Sequence, residues 1–182
     1  MTYHHDLLEQ ASHLAKRETK KPRQASLRRA VSAAYYALFH LLVAEGAKQL
    51  SPKKADGLNL LVGRAFNHSD MRNVCKNFAE AHSNAIKTNP KPSPAPIQKL
   101  IDLRLITLPI DARLFAVCQA FIELQEARNE ADYNLGKQWN RLDVLTHIQT
   151  ARQAFDDWKA ICNSLPATVF VAALLLQRHW GR

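Results

Sequence analysis

Apolar residues recur along the chain at the helical spacings i, i+3, i+4 and i+7, which predicts a succession of amphipathic α-helices. The first predicted helix ends in the basic segment KRETKKPR, and its apolar positions are Leu7, Leu8, Ala11, Leu14 and Ala15. A second helix starts near Pro22, because proline is tolerated in a first helical turn, and continues to Gly46. Its apolar positions are Leu27, Ala30, Val31, Ala34, Leu38, Leu41 and Leu42.

The middle of the chain contains the strongest breaks in this pattern. Residues 50–57 (LSPKKADG) are predicted to form a turn, and two short helices should follow, interrupted at His68, Ser69 and Asp70. Residues 87–97 contain four of the eight prolines and are predicted to form an exposed internal loop. The next stretch, IQKLIDLRLITLP, fits either a short helix or an edge-like segment.

The last third returns to clear helical periodicity. One helix is predicted from about Asp111 to a left-handed cap at Gly136, and the next has a seam of apolar residues at alternating spacings of four and three. Residues 166–182 should add a C-terminal helix, whose apolar stretch fits either a buried core or a subunit contact. We therefore expect an all-α fold, an up-and-down antiparallel bundle of about five to seven helices, in a single domain covering residues 1–182.

Net charge, the longest apolar stretch and the cysteine spacing give expectations for the partners and the cellular location. The net charge of +9 and a pI near 9.7 favour polyanionic partners, nucleic acid ahead of anionic membrane. The longest apolar stretch, ATVFVAALLL, is too short for a bilayer, which needs about 20 residues, so no membrane partner is expected. Three cysteines without metal or disulfide spacing fit a reducing compartment, and cytoplasmic localisation is the expectation.

Common catalytic and cofactor motifs are missing from the sequence. No glycine-rich nucleotide loop and no nucleophile elbow occur, so no cofactor is expected. The eight histidines lack zinc-ligand spacing, and no metal site is expected either.

Two stretches carry polar groups on apolar helices. In LRRAVSAAYYALFHLL, the adjacent Tyr35 and Tyr36 are followed by His40 one turn after Tyr36. Either the tyrosines are core residues with hydroxyls at the rim, or these polar tips contribute to a binding site. In LQEARNEADYNLG, Arg128 continues the apolar stripe of Val117, Phe121 and Leu124.

Arg128 has two interpretations. It could form an exposed i, i+4 ion pair with Asp132, which would contribute little. Alternatively, it lies inward at the end of a groove and grips a phosphate, while Asn129 supplies hydrogen bonds and Tyr133 a hydroxyl or a stacking face.

The two stretches, in this order and on helices, resemble the HEPN superfamily of small bacterial and archaeal helical proteins. The branch they resemble has Ala-Tyr-Tyr-Ala-x-Phe on its second helix and Arg-x-x-Ala-Asp-Tyr at the end of a late helix. The resemblance covers roughly residues 7–155 and implies a helical bundle, a homodimer and a toxin or defence role. Many such proteins are metal-independent ribonucleases, with a motif of arginine, a polar residue and then histidine after four to six residues.

This chain departs from that motif. Arg128 and Asn129 match its first two positions, whereas Tyr133 occupies the first position allowed for the histidine. For a ribonuclease, Tyr133, His40 or His147 would have to move the proton. The resemblance leaves open two other roles: a non-catalytic binder of RNA or nucleotide, and a module paired with a small nucleotidyltransferase or antitoxin that modifies Tyr133. A neighbouring gene for such an enzyme would support the last role, and its absence would weaken it.

Overall fold

The computed structural model describes residues 2–50 and 56–177, and these ranges confirm the all-α prediction. They are helical with no strand, and the overall helix content is 77%. Eight helices occur in the described ranges, one more than the upper end of the prediction. They are α1 (Tyr3–Lys16), α2 (Gln24–Leu50), α3 (Asp56–Ala65), α4 (His68–Ala85), α5 (Ala95–Asp102), α6 (Ala112–Tyr133), α7 (Arg141–Ile161) and α8 (Leu165–Leu176).

Short polar side chains begin four of these helices, because the first backbone N–H groups of a helix have no partner within it. Asn67 accepts from the backbone nitrogens of residues 69 and 70, and Asp111 accepts from those of residues 113 and 114. Asn140 and Ser164 cap α7 and α8 in the same way. The break predicted at His68, Ser69 and Asp70 therefore lies just before them, and these three residues form the first turn of α4.

Several other predicted boundaries were displaced. α2 continues past Gly46 to Leu50, and most of the turn predicted at 50–57 lies outside the described residues. The loop predicted at 87–97 ends at Pro94, because a proline is compatible with the first turn of α5. The segment that follows is a short helix rather than an edge-like one. The C-terminal helix starts one residue earlier than predicted and ends at Leu176, while 178–182 lie outside the described residues.

The end predicted for α6 was wrong. The helix ends at Tyr133, and no glycine in the described residues has the positive φ expected of a left-handed cap at Gly136. The side chain of Arg28 instead donates to the carbonyl of Ala131 in the last turn of α6 and to three carbonyls of the segment that follows.

The chain forms two compact units, one of residues 1–41 and 120–156, and a second of residues 42–119 and 157–182. The single domain over 1–182 stays a prediction. In the first unit, Tyr35 of α2 contacts Phe121 of α6 with ring centroids 5.6 Å apart, and both side chains are buried. They belong to a core that also includes Leu27, Leu38, Leu124, Val144 and Ile148.

The second unit is built around α4, α5 and α8. Phe170 of α8 packs edge-on against Phe78 of α4, with ring centroids 5.2 Å apart, and lies near Trp158. Of the two interpretations of the apolar C-terminal stretch, the structure supports the buried core. The buried side chains of α8 are Ala167, Val169, Phe170, Val171, Ala173 and Leu174.

One described segment, Gln24–Gln49, is long and apolar enough to cross a membrane, but 72% of its most apolar window is buried within the protein. The segments Arg141–Ile161 and Leu165–Leu176 qualify only as a pair, and they are bent by 119°. Core helices have the same length and composition, so these segments are weak support for a membrane span.

Candidate functional site

One face of α2 carries a polar side chain at every fourth position. Arg28, Ser32, Tyr36 and His40 are spaced by four, and residues four apart lie one above the other on a helix. The first three of them contact the C-terminal half of α6 in the first unit. This face is what brings the two stretches singled out in the sequence together.

Arg128 lies at the centre of these contacts. Its Nη2 donates to the hydroxyl of Tyr36 at 2.8 Å, and its Nη1 donates to the side-chain oxygen of Asn129 at 3.1 Å. Its Nε lies 2.7 Å from Oδ2 of Asp132. The side chain is only 19% exposed, so Arg128 does lie inward, and Asp132 neutralises it. The structure thus combines the ion pair of the first interpretation with the inward position of the second.

Asp132 is held from two sides. Its second carboxylate oxygen accepts from the hydroxyl of Ser32 at 2.7 Å, so the carboxylate bridges α2 and Arg128. Burial acts to lower the pKa of Arg128, but Tyr36 and Asp132 outweigh it, and the pKa stands above its ordinary value. The guanidinium is therefore charged at any physiological pH, with its orientation fixed by three partners.

Arg28 organises the backbone behind this site, and sequence reasoning missed it. Its Nη1 donates to the carbonyl of Ala131 at 2.7 Å. Its Nη2 donates to the carbonyls of Asn134, Leu135 and Lys137 at 3.0, 3.3 and 2.6 Å. A cation at this position satisfies one free carbonyl in the last turn of α6 and three in the segment that follows, and it complements the negative end of the helix dipole. The four-residue spacing of Arg28 and Ser32 with Tyr36 was the signal that would have identified both.

The outer side of α6 beside Arg128 is open. Tyr133 is 73% exposed, and the Arg128 guanidinium carbon lies 5.5 Å from the centroid of its ring. A shallow depression that is open to solvent is lined by Asn129, Glu130, Tyr133 and Asn134. Asn129 and Tyr133 therefore face an accessible surface next to a fixed cation.

The side chains of Tyr35, His40 and His147 have contacts other than Arg128. Tyr35 is 1% exposed and packs in the core, which leaves it unable to touch a ligand directly. His40 is half-buried, its ring centroid is 6.4 Å from that of Tyr36, and it also contacts Tyr3. Burial lowers the pKa of His40 below its ordinary value, so its imidazole is neutral at pH 7. His147 of α7 pairs with Glu123 at 3.0 Å.

Within residues 2–50 and 56–177, no three histidine, cysteine, aspartate or glutamate side chains are grouped so that they could hold a metal ion. The chemistry available at Arg128 is that of hydrogen bonding, charge and an exposed aromatic ring. Comparisons of the chain with protein-family models, with curated protein sequences and with solved protein structures find no match.

Proposed function

We propose that this chain is a HEPN-type protein that binds RNA, or a nucleotide, through a phosphate contact at Arg128. The proposal combines the resemblance of its two motifs with the arrangement of Arg128 between Tyr36, Asn129 and Asp132. The toxin or defence role, the homodimer, the cytoplasmic location and the nucleotidyltransferase partner are further proposals that rest on the resemblance alone. The observation that carries the phosphate site is the inward, oriented guanidinium beside an open pocket.

A guanidinium held in this way is suited to recognise a phosphate. It has five N–H donors in a planar fork. The contacts with Asn129, Tyr36 and Asp132 use only part of these donors. Because Tyr36 and Asp132 already fix the side chain, little rotamer freedom remains to be lost when an anion binds. The amide of Asn129 and the ring of Tyr133 then flank the anion with neutral hydrogen bonds and a stacking face.

Asp132 determines how strongly a phosphate can bind at Arg128. Its carboxylate compensates the charge of Arg128, so an incoming phosphate competes with a resident anion. Removing the Asp132 charge should therefore strengthen phosphate binding, even though it weakens the native ion pair.

We expect Arg128→Ala and Asp132→Asn to change RNA affinity in opposite directions. Arg128→Ala should weaken binding of a labelled single-stranded RNA by about 10- to 100-fold, because a hydrogen bond to a charged group contributes about 1.5–3 kcal/mol. Asp132→Asn should strengthen it by roughly 3- to 10-fold, since the fork is released from its counter-ion. Fluorescence anisotropy at low ionic strength measures both.

Arg113→Ala is the matched control, because Arg113 is exposed in the first turn of α6 and its loss changes the net charge equally. Arg128→Lys keeps the positive charge but removes the planar set of N–H donors. It replaces Arg128→Ala as the test variant if the alanine variant does not fold. Weaker binding by Asp132→Asn, or equal losses in Arg128→Ala and Arg113→Ala, would contradict a phosphate site at Arg128.

A second candidate function is metal-independent cleavage of the bound RNA, and the position of His40 favours it, one helical turn after Tyr36 with ring centroids 6.4 Å apart. A general base must accept a proton from the 2′-hydroxyl, whose oxygen then bonds to phosphorus while the P–O5′ bond breaks and the 5′-oxygen takes a proton from water. Arg128 would stabilise the charge of the transition state. His40 lies beside Tyr36, which hydrogen-bonds Arg128, whereas His147 is engaged by Glu123.

The wild-type protein in EDTA should then cleave total cellular RNA, and Arg128→Ala should lose the activity. His40→Gln should lower the rate by about 100-fold or more, the range typical of a general base. Gel electrophoresis of end-labelled RNA resolves the products. Intact RNA at high protein concentration excludes the ribonuclease and leaves the binding role unaffected.

A further inference from the structure

A second cationic feature of the first unit lies outside the Arg128 site. Residues 16–23 run from the last residue of α1 to the residue before α2, and we call this segment the basic loop. It carries five basic side chains and one carboxylate, a net charge of +4. All five cations, Lys16, Arg17, Lys20, Lys21 and Arg23, are exposed.

The backbone of the basic loop is held in place by residues outside it. Arg141 of α7 donates to the carbonyl of Thr19 at 3.3 Å and to that of Glu18. The Glu18 carboxylate accepts from the hydroxyl of Ser26 at 2.8 Å and from the backbone nitrogen of Arg23 at 3.3 Å. The only acid of the loop is thus engaged at the start of α2, while the lysines remain exposed.

The basic loop is connected to the Arg128 site through α2. Gln24, the first residue of α2, exchanges two hydrogen bonds with the backbone of Trp139, at 2.7 and 2.9 Å. Arg28, one turn later, holds the carbonyls that follow α6, and the exposed Lys137 lies in that segment. From Gln24 to Ser32, which binds Asp132, α2 rises by about 12 Å.

We infer that the basic loop binds the phosphate backbone of a single-stranded RNA whose neighbouring segment occupies the Arg128 site. This inference rests on the proposed function and identifies its ligand as a polynucleotide rather than a mononucleotide. At about 3.4 Å per nucleotide, the rise of a fully stacked strand, 12 Å corresponds to at most about four nucleotides.

Two features support this ligand class. Arg128 is paired with Asp132, so the uncompensated positive charge that can attract further phosphates of the same strand lies in the basic loop. The exposed ring of Tyr133 offers a stacking face, which requires an unpaired base. A cationic track next to an aromatic platform is the usual arrangement of single-strand binders.

The acidic groups near this path do not remove its positive charge. Glu130 accepts from Asn134 at 2.8 Å, and Asp143 accepts from Asn140 at 2.7 Å in the first turn of α7. These neutral donors leave both carboxylates charged, and the two negative charges are fewer than the net charge of +4 on the basic loop.

The test compares a labelled 12-nucleotide single-stranded RNA of mixed sequence, the same RNA annealed to its complement, and a dinucleotide as competitor. The loop variant is Arg17→Gln/Lys20→Gln/Lys21→Gln. The matched control is Lys76→Gln/Lys91→Gln/Arg113→Gln, three exposed cations of the second unit with the same change of charge. Anisotropy titrations are run from 50 to 200 mM salt.

The loop variant should bind the 12-nucleotide RNA about 10- to 100-fold more weakly at 50 mM salt. Its salt slope should be lower by about 2, because each lost phosphate contact on a single strand removes about 0.7. Dinucleotide binding should change little, and the control triple variant should lose less than about threefold.

Each contrary outcome identifies what has failed. Equal losses in the loop and control variants, or equal affinity of the wild type for duplex RNA, would overturn the inference and leave the Arg128 site in place. Loss of RNA binding in the loop variant but not in Arg128→Ala would overturn the proposed phosphate site, and with it the single path linking the two features.

Discussion

Phe170→Ala should lower the free energy of unfolding by about 3–5 kcal/mol, the range for phenylalanine-to-alanine changes in well-packed cores. Phe170 is completely buried in α8 and packs edge-on against Phe78, with Trp158 nearby. Its removal loses the transfer free energy of the ring and leaves a cavity between α4 and α8. Because small domains have stabilities of only about 5–15 kcal/mol, this change should remove much of the stability of the second unit.

Urea denaturation followed by circular dichroism measures the effect. Leu176→Ala is the matched control, because Leu176 belongs to the same helix but is 44% exposed, and it should cost less than about 1 kcal/mol. Similar losses for the two variants would mean that the buried side of α8 contributes no more to the free energy of unfolding than its exposed side. That result would contradict the position of α8 in the core.

Arg28→Ala should lower the free energy of unfolding by about 2–3 kcal/mol, because the carbonyl of Ala131 in α6 and three carbonyls after the helix lose a charged donor. The cost stays below the sum of four bonds, since three of these carbonyls are exposed to water that can replace the donor. The segment from Ala131 to Lys137 should loosen, and the position of Tyr133 with it.

Arg29→Ala is a close control, because Arg29 is the adjacent, exposed residue of the same helix and should change stability by less than about 0.5 kcal/mol. Hydrogen exchange of the amides near the end of α6 reports the local effect separately from global unfolding. Unchanged exchange in Arg28→Ala would show that the end of α6 does not depend on this side chain.

The fold class could be predicted from the sequence because each helix has its own apolar periodicity. The boundaries could be predicted only where the signal is local. Asn67, Asp111, Asn140 and Ser164 cap their helices from one position before the first turn, whereas the end of α6 is made by an arginine about 100 residues away in the chain. Gly136 was predicted as the cap because glycine often follows the last turn of a helix. Arg28 binds the carbonyls at and after the end of α6, and Gly136 does not have a positive φ.

The residues of the candidate site could likewise be predicted only where the signal is local in the sequence. Arg128, Asn129, Asp132 and Tyr133 lie within two turns of one helix, so their proximity follows from spacing alone. That Tyr36 binds Arg128 while its neighbour Tyr35 enters the core depended on how α2 is rotated against α6. The spacing of Arg28, Ser32 and Tyr36 places Tyr36 on the polar face of α2, but only the packing of α2 on α6 decided that this face meets Arg128.

The sequence by itself determined the all-helical architecture, the polar cluster at the end of α6 and the charge of the basic loop, all of which depend on residues close together in the chain. Only the tertiary structure decided that Tyr36 contacts Arg128, that Ser32 contacts Asp132, that Arg28 binds the carbonyls at and after the end of α6, and that Arg141 anchors the basic loop. These contacts join residues about 100 positions apart. Their partners are selected by the packing of the core between them, because the helices can bury their apolar faces only in particular rotations.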